Sequence, residues 1–357
     1  MRLKNQRLKT LVGNRTFFQK VSKMNSKKTF RVALVGCGVI SVNHLSALTK
    51  LDNVEIVALC DINILRAENR KNEYNLNCSI YSDYYEMMKK EKPDAIHICT
   101  PHYLHCPMAC YALDNNVNVF LEKPMCINQE EIDELLLAER NSSAKITVCF
   151  QNRFNPVTIL AKKIADEDGG VITAFGSVFW ERNAPYYTES GWRGSMKTEG
   201  GGVMINQAIH TIDLLCQFLG KPVTICATKA NHHLKGIIDV EDTCEGIIGF
   251  DSGKYGNFYT TTSFRKKDCT EVCLITKNHE IVIKNPYLYV DGKSVDLEIP
   301  TEYVGKACYG AGHNTVIADF YSAIENGTEV PVSLESAQYA VKILLAAYKS
   351  NDVEIPV

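Results

Sequence analysis

A chain of 357 residues, 45% of them hydrophobic, carries enough apolar side chain for a sizeable core. Above about 250–300 residues single cores divide, so two domains are expected. The 39 Lys and Arg against 41 Asp and Glu leave a formal net charge of −2. That balance excludes a general electrostatic pull toward nucleic acid or an anionic membrane. No apolar run approaches the roughly 20 residues that a membrane helix needs.

In chain order, residues 1–28 come first. They hold Arg2, Lys4, Arg7, Lys9, Arg15, Lys20, Lys23, Lys27 and Lys28 and no acid. Three readings stay open: an extension upstream of a start at Met24, a disordered arm, or a targeting segment. Phe30–Val35 then reads as a short apolar strand, and a glycine turn at Gly36–Ser41 leads into a helix from Val42 to about Lys50. Val54–Cys60 is a second strand, closed by Asp61. Residues 63–76 and 84–90 are helical. Ala95–Cys99 is a strand, Pro107–Asn115 a helix, Val117–Leu121 a strand, Gln129–Asn141 a charged amphipathic helix and Ile146–Phe150 a strand. Short strands alternating with helices predict βαβ units on a doubly wound parallel sheet over residues 29–150.

The pattern changes near residue 151. After a helix at about 155–166 come longer alternating strands at Ile172–Glu181, Thr224–Ala230, Cys244–Phe250, Tyr255–Phe264 and Glu271–Thr276. Asp251–Gly253 and Asp291–Gly292 read as hairpin turns. Helices are expected at about 203–219, 313–326 and 333–350. The fold class is therefore α/β, with a second α+β domain over 151–357 built on a large open, mostly antiparallel sheet. Fourteen cysteines include two CxxxC pairs, Cys106/Cys110 and Cys269/Cys273, and no paired CxxC. Cys37, Cys60, Cys99 and Cys149 sit in apolar runs, where cysteine acts as a small hydrophobe. Reduced thiols in a cytoplasmic protein are expected.

The turn carries chemistry. Gly36 permits the tight bend, Gly38 lets backbone approach a pyrophosphate, and the helix opening at Val39 and Ile40 offers N–H groups to phosphate. Ser41 stands where a third glycine is usual. Asp61 at the end of the second strand is placed to accept from both adenosine-ribose hydroxyls. A 2′-phosphate would be repelled there, and Ile62 and Asn63 supply no cation, so NAD is favoured over NADP.

Ligands of open parallel sheets bind beyond the carboxyl ends of the strands. Glu122-Lys123-Pro124 lies at one such end, and Thr100, Pro101, His102 and His105 at another, where they are read as lining the cofactor or substrate side. Thr100, Pro101, His105, Glu122 and Lys123 join the expected cofactor set. Lys123 is either a solvated surface group or a donor to a substrate oxygen. His97, inside its strand, reads as a core histidine. Glu199 and three glycines precede a helix with Asn206 and His210 on one face. His210 is either a core histidine or a general base; Asp213 reads as structural. Trp180, Arg182, Tyr186, Tyr187, Trp192 and Arg193 gather both tryptophans of the chain. They either line a polyol or sugar-nucleotide pocket or pack an interface. His232-His233 lacks a third ligand nearby, so no metal is expected.

These segments together resemble the glucose–fructose oxidoreductase / inositol dehydrogenase / rhizopine-catabolism (Gfo/Idh/MocA) family. The resemblance rests on the turn at 36–41 with His44, and on residues 99–105, 121–124, 150–156, 191–215 and 312–327. It implies a Rossmann domain and an open-sheet domain often used for oligomerisation, here a homodimer or homotetramer. It also implies that Lys123 and His210 are the catalytic pair, with a small-molecule sugar or polyol as substrate. Arg153, in the matching 150–156 segment, joins the substrate set, and Asn206 positions the hydroxyl or the imidazole. Many members carry aspartate at position 206, which puts a proton relay through Asn206 in doubt. An NAD-dependent glycosidase and a non-catalytic NAD-binding sensor remain alternatives.

Overall fold

The computed structural model describes residues 28–265, 269–297 and 310–357; the basic arm up to residue 27 lies outside them. Strand β1 (Phe30–Val35) is buried everywhere except Arg31, as a strand covered on both faces must be. It opens an alternating series: α1 (Ser41–Leu48), β2 (Val54–Cys60), α2 (Ile64–Glu73), β3 (Ser79–Tyr81), α3 (Tyr84–Glu91), β4 (Ala95–Ile98), α4 (His105–Asp114), β5 (Asn118–Leu121), α5 (Gln129–Asn141) and β6 (Ile146–Val148). The strands pair in parallel in the order β3-β2-β1-β4-β5-β6. The order reverses between β1 and β4, which is where such sheets open a crevice for ligands. Strand β3 escapes the sequence pattern because it is three residues at an edge, none of them buried. Helix α5 starts where expected: Asn128 accepts from Glu131 N at 2.8 Å and Glu131 reaches back to Ile127 N at 2.9 Å, a reciprocal cap.

The second half runs α6 (Pro156–Glu167), β7 (Thr173–Phe179), α7 (Ala184–Thr188), a π turn (Met204–Ala208), α8 (Ile209–Leu219), β8 (Pro222–Ala230), β9 (Thr243–Phe250), β10 (Tyr255–Thr261), β11 (Cys269–Ile275), β12 (Glu280–Lys284), β13 (Tyr287–Val290), β14 (Lys293–Ser294), α9 (Gly312–Asn326), α10 (Leu334–Ser350) and β15 (Ile355–Pro356). Its nine strands form one sheet in the order β14-β13-β12-β11-β7-β10-β9-β8-β15. It is antiparallel throughout except where β10 lies parallel to β7. Asp291 and Gly292 both have positive φ, 52° and 71°, which makes the expected tight hairpin turn.

One apolar cluster runs from Val35, Ile98 and Leu121 of the first sheet to Val178 of the second and Ile212 and Leu215 of the helix α8 that packs on it. The two sheets therefore share a core. A second cluster, on Leu45, Leu59 and Phe120, is closed by Val316, Ile317 and Phe320 of α9. Helix α9, which the sequence reading assigns to the second unit, thus packs against the first sheet. The chain leaves that sheet and returns to it.

Two glycines of the first turn differ in what they need. Gly36 has φ +91°, and an added Cβ would lie 2.5 Å from the carbonyl of Cys99. Gly38 has nothing within 4 Å of such a Cβ. Gly36→Ala should lower stability by about 1–3 kcal/mol or more through overpacking, whereas Gly38→Ala should leave the melting temperature of the free protein unchanged. Thermal unfolding distinguishes the two; equal losses would contradict this assignment.

Candidate active site

At the end of β1, Gly36 N donates to Cys60 O at 2.8 Å, and the chain turns toward α1. The buried Asp61 carboxylate accepts from Cys37 N at 2.9 Å and from Asn63 N at 2.8 Å. Ser41 Oγ donates to Gly38 O at 2.6 Å, so the substitute for the third glycine locks the turn. Val39 and Ile62 are 85% and 92% exposed, two bare apolar side chains on either side of the acid, the kind of surface that a ligand covers. Thr100 Oγ1, at the end of β4, is buried with no hydrogen-bond partner among the described residues. The open space at Gly38, the fixed acid, the apolar flanks and the orphan hydroxyl fit a dinucleotide. One element was not visible in the local sequence. Arg70 of α2 reaches back to Gly38 O and Ser41 Oγ, both at 3.3 Å, and pairs with Glu73. A cation therefore does stand at the turn, bound to the protein's own acceptors.

Beyond β5, Glu122 and Lys123 face different partners. Glu122 is buried and takes a hydrogen bond from His44 Nε2 at 2.9 Å, with His313 Nε2 at 3.8 Å. Burial alone would raise its pKa, but His313 and His44 hold it well below the usual carboxylate range. His44 Nδ1 meets His97 Nδ1 at 2.8 Å, and His97 Nε2 meets Tyr321 OH at 2.9 Å. His97 is thus the satisfied core histidine expected. Donor atoms of His44, Glu122, Cys149 and His313 lie within 4.8 Å of one another, a grouping that spacing along the chain did not reveal. Both nitrogens of His44 are already engaged, Nε2 by Glu122 and Nδ1 by His97. The Lys123 ammonium donates to Asn206 O at 3.0 Å. Burial lowers its pKa while Glu122 and Glu199 work to keep it charged. His105 spends its nitrogens on the carbonyls of Pro124 (2.6 Å) and Thr100 (2.9 Å), tying the two strand ends together.

Asn206 sits in the π turn and His210 in the first turn of α8. The glycines ahead of them are sterically required. A Cβ on Gly202 would overlap the carbonyl of Glu241, and Gly200 has φ +84°. The Glu241 carboxylate accepts from Gly202 N at 3.0 Å and Met204 N at 2.9 Å, and from Tyr348 OH. A buried acid therefore caps the start of this helix, a role that the sequence reading missed because Glu241 is remote along the chain. Burial, with the Lys123 charge adding to it, holds the His210 imidazole well below its usual pKa. Its Nε2 lies 3.4 Å from Gln151 Nε2, and its Nδ1 has no partner among the described residues. A neutral imidazole beside an ammonium can take a proton.

The aromatic–arginine stretch forms a stack. Arg182 lies over Trp180 (4.4 Å) and Tyr186 (4.8 Å), and Arg193 over Tyr186 and Trp192, both at 4.6 Å. Trp192 in turn meets His102 at 4.7 Å. Tyr186 OH receives Asn206 Nδ2 and Gln207 Nε2, each at 3.3 Å, so the stack leans on the π turn. Two expected substrate contacts are redirected. Arg153 makes a two-pronged pair with buried Asp213, at 2.8 and 2.5 Å, and reaches Ser336 Oγ at 3.2 Å. Its guanidinium holds the helix rather than the cleft, and Asp213 is structural as expected. Tyr187 is buried against Leu234, Ile238 and Val240.

Residues 30–150 match the family model described as an oxidoreductase family with an NAD-binding Rossmann fold, and residues 158–279 match the GFO/IDH/MocA C-terminal domain. An oxidoreductase of Formosa agariphila is 31% identical over 250 residues, 68% of this chain and 75% of that protein. Inositol 2-dehydrogenase of Salmonella typhimurium is 28% identical over 163 residues, 44% of this chain and 48% of its own length. Among solved structures, the WlbA dehydrogenase of Bordetella pertussis, in complex with NADH and UDP-GlcNAcA, superposes with a TM-score of 0.82. It is 24% identical, and the match covers 94% of this chain and 99% of that one. That likeness is one of fold.

Arg153→Met should leave the Asp213 carboxylate buried and unpaired. Breaking such a pair from one side costs about 3–5 kcal/mol, and urea unfolding should report a loss of that order. A loss well under 1 kcal/mol would return Arg153 to the cleft.

Proposed function

The chain belongs to the Gfo/Idh/MocA oxidoreductase family, and on that premise we propose that it moves a hydride between a secondary alcohol of a sugar, cyclitol or sugar nucleotide and NAD. The observation that carries this reading is the meeting of Lys123, from the first sheet, with Asn206 and the helix bearing His210, from the second. Both lie beyond the carboxyl end of β5, on the crevice side of the doubly wound sheet.

Gly36, Gly38, Val39, Ile40, Asp61, Thr100 and Pro101 would hold the dinucleotide, and when bound it would accept or return the hydride. Asp61, anchored by two backbone N–H groups, keeps lone pairs for ribose hydroxyls and repels a 2′-phosphate, which favours NAD. Lys123 donates to the substrate oxygen and stabilises the negative charge that grows there. The Asn206 carbonyl aims the ammonium, and the neutral imidazole of His210 takes the hydroxyl proton. Arg182, Tyr186, Trp192 and Arg193 form the wall on which the rest of the substrate lies. Names of relatives support a polyol or sugar-like substrate: inositol 2-dehydrogenase, D-glucoside 3-dehydrogenase and D-apiose dehydrogenase.

The face of the second sheet that carries Phe175, Ile247 and Tyr255, at 41%, 48% and 55% exposure, is the surface we assign to a homodimer or homotetramer. The thirteen described cysteines are free thiols, in keeping with a reducing cytoplasm. Among the described residues no helix is long and apolar enough to cross a membrane.

A panel of sugars, cyclitols and UDP-sugars, read by NADH absorbance, should yield a substrate. Free sugar released without net NADH would favour the glycosidase instead. Lys123→Ala and His210→Ala should each lower kcat by about 10²–10⁴-fold while NAD still binds by calorimetry. Near-normal turnover in either variant would remove that residue from the mechanism.

A further inference from the structure

Glu199 is 1% exposed and stands where three segments meet. Its Oε1 accepts from Asn206 Nδ2 at 2.5 Å and its Oε2 from Gly194 N at 2.5 Å. Its backbone carbonyl takes His102 Nδ1 at 2.8 Å. Asn206 in turn offers its backbone carbonyl to Lys123 Nζ. One carboxylate therefore stakes the π turn, the arginine–aromatic loop and the strand-end loop of the first sheet to a single point. We infer that Glu199 is a positioning residue for the reaction, fixing Asn206 and through it Lys123, and that its ionisation decides whether this centre is assembled. The inference rests on the hydride-transfer reading above.

The bonds favour the ionised form. An amide NH₂ and a backbone N–H both donate, so a carboxylate serves both. A proton on either oxygen would leave that oxygen a weaker acceptor and add an O–H that must compete with the incoming donor for position. The same geometry accounts for the amide at position 206, since an aspartate there would set two carboxylates 2.5 Å apart, which cannot both ionise freely. Burial pushes Glu199 up to about 7, against the pull of Gly194 N, Asn206, Arg193 and Lys123. Glu241, the other buried acid of this region, is also raised to about 7 by burial, and the charge of Glu199 adds to its shift. The groups facing Glu199 are thus Lys123 and His102 from the first sheet, Tyr186, Tyr187 and Arg193 from the loop, Asn206 from the π turn and Glu241 ahead of β9. A pKa raised by burial means that the ionised form is lost as pH falls through about 7. The His210 base, held well below its usual range, fails only at lower pH.

The test is a pH profile of kcat for wild type, Glu199→Gln, Asn206→Asp and the double variant. Wild type should show an acid limb near 7. Glu199→Gln should lose that limb and turn over about 10²-fold more slowly, the scale of a misplaced catalytic group, with the KM for NAD unchanged. Asn206→Asp should move the limb to higher pH. The double variant, with one carboxylate again, should recover most of the lost kcat. A Glu199→Gln enzyme with wild-type kcat and limb, or a double variant no better than Glu199→Gln, overturns the inference.

Carboxyl ¹³C NMR decides the matter without turnover. Two carboxyl resonances should titrate near 7, those of Glu199 and Glu241. One should vanish in Glu199→Gln, and that same one should shift upward in Asn206→Asp and in Lys123→Met. A resonance indifferent to both neighbours contradicts the proposal. A wild-type protein that oxidises no polyol retires the hydride reading, while the NMR titration still judges Glu199.

Discussion

The bond from the Lys123 ammonium to the Asn206 carbonyl, 3.0 Å long, is where the two halves of the molecule meet with chemistry attached. Lys123 follows β5 of the parallel sheet, and Asn206 lies in the π turn that leads to α8. Neither sheet alone brings a cation and a neutral imidazole together. The shared apolar cluster from Val35 to Leu215 and the return of α9 to the first sheet pack the two halves around that bond. The glycines at 200–202 let the π turn come close enough to make it.

Placing a cation there has a cost in desolvation, and the surrounding acids offset it. Glu122 and Glu199 both favour the charged form of Lys123. They are held in different ways, Glu122 by His44 and His313, Glu199 by Asn206 and Gly194 N. The histidine chain through His97 to Tyr321 anchors Glu122 to the core of the first sheet. The second sheet supplies the Glu199 side. Lys123 is therefore steadied from both directions, and His210 remains the uncharged member of the pair.

Much of this was legible in the residues. The strand–turn–helix at 30–48 and the acid at 61 carry a local pattern, so the Rossmann half and its dinucleotide turn followed from spacing. The alternating strands from β7 to β11 gave the second sheet its class. The sequence could not show that β10 runs parallel to β7, because period-two alternation is blind to strand direction. Nor could it show β12, β13 or β15, short strands whose signal is weak, or that α9 crosses back to the first sheet. Within the proposed site, Lys123, Asn206 and His210 were singled out by the family resemblance more than by spacing. Glu199, Glu241, His44 and Arg70 were not assigned roles, because their partners are distant in the chain and only packing brings them near. Arg153 and Tyr187 erred in the opposite direction: charge and aromaticity near a motif suggested a ligand, while Asp213 and a small apolar cluster claimed them.

The central claim is that this cleft transfers a hydride from a sugar-like alcohol. The most direct measurement follows deuterium. Polyols and sugar nucleotides deuterated at the carbinol carbon are incubated with the protein and NAD, and the reduced dinucleotide is weighed by mass spectrometry. The account predicts deuterium in the NADH formed, one atom per ketone produced. Reduced cofactor without deuterium, or sugar converted with no reduced cofactor at any stage, would contradict it.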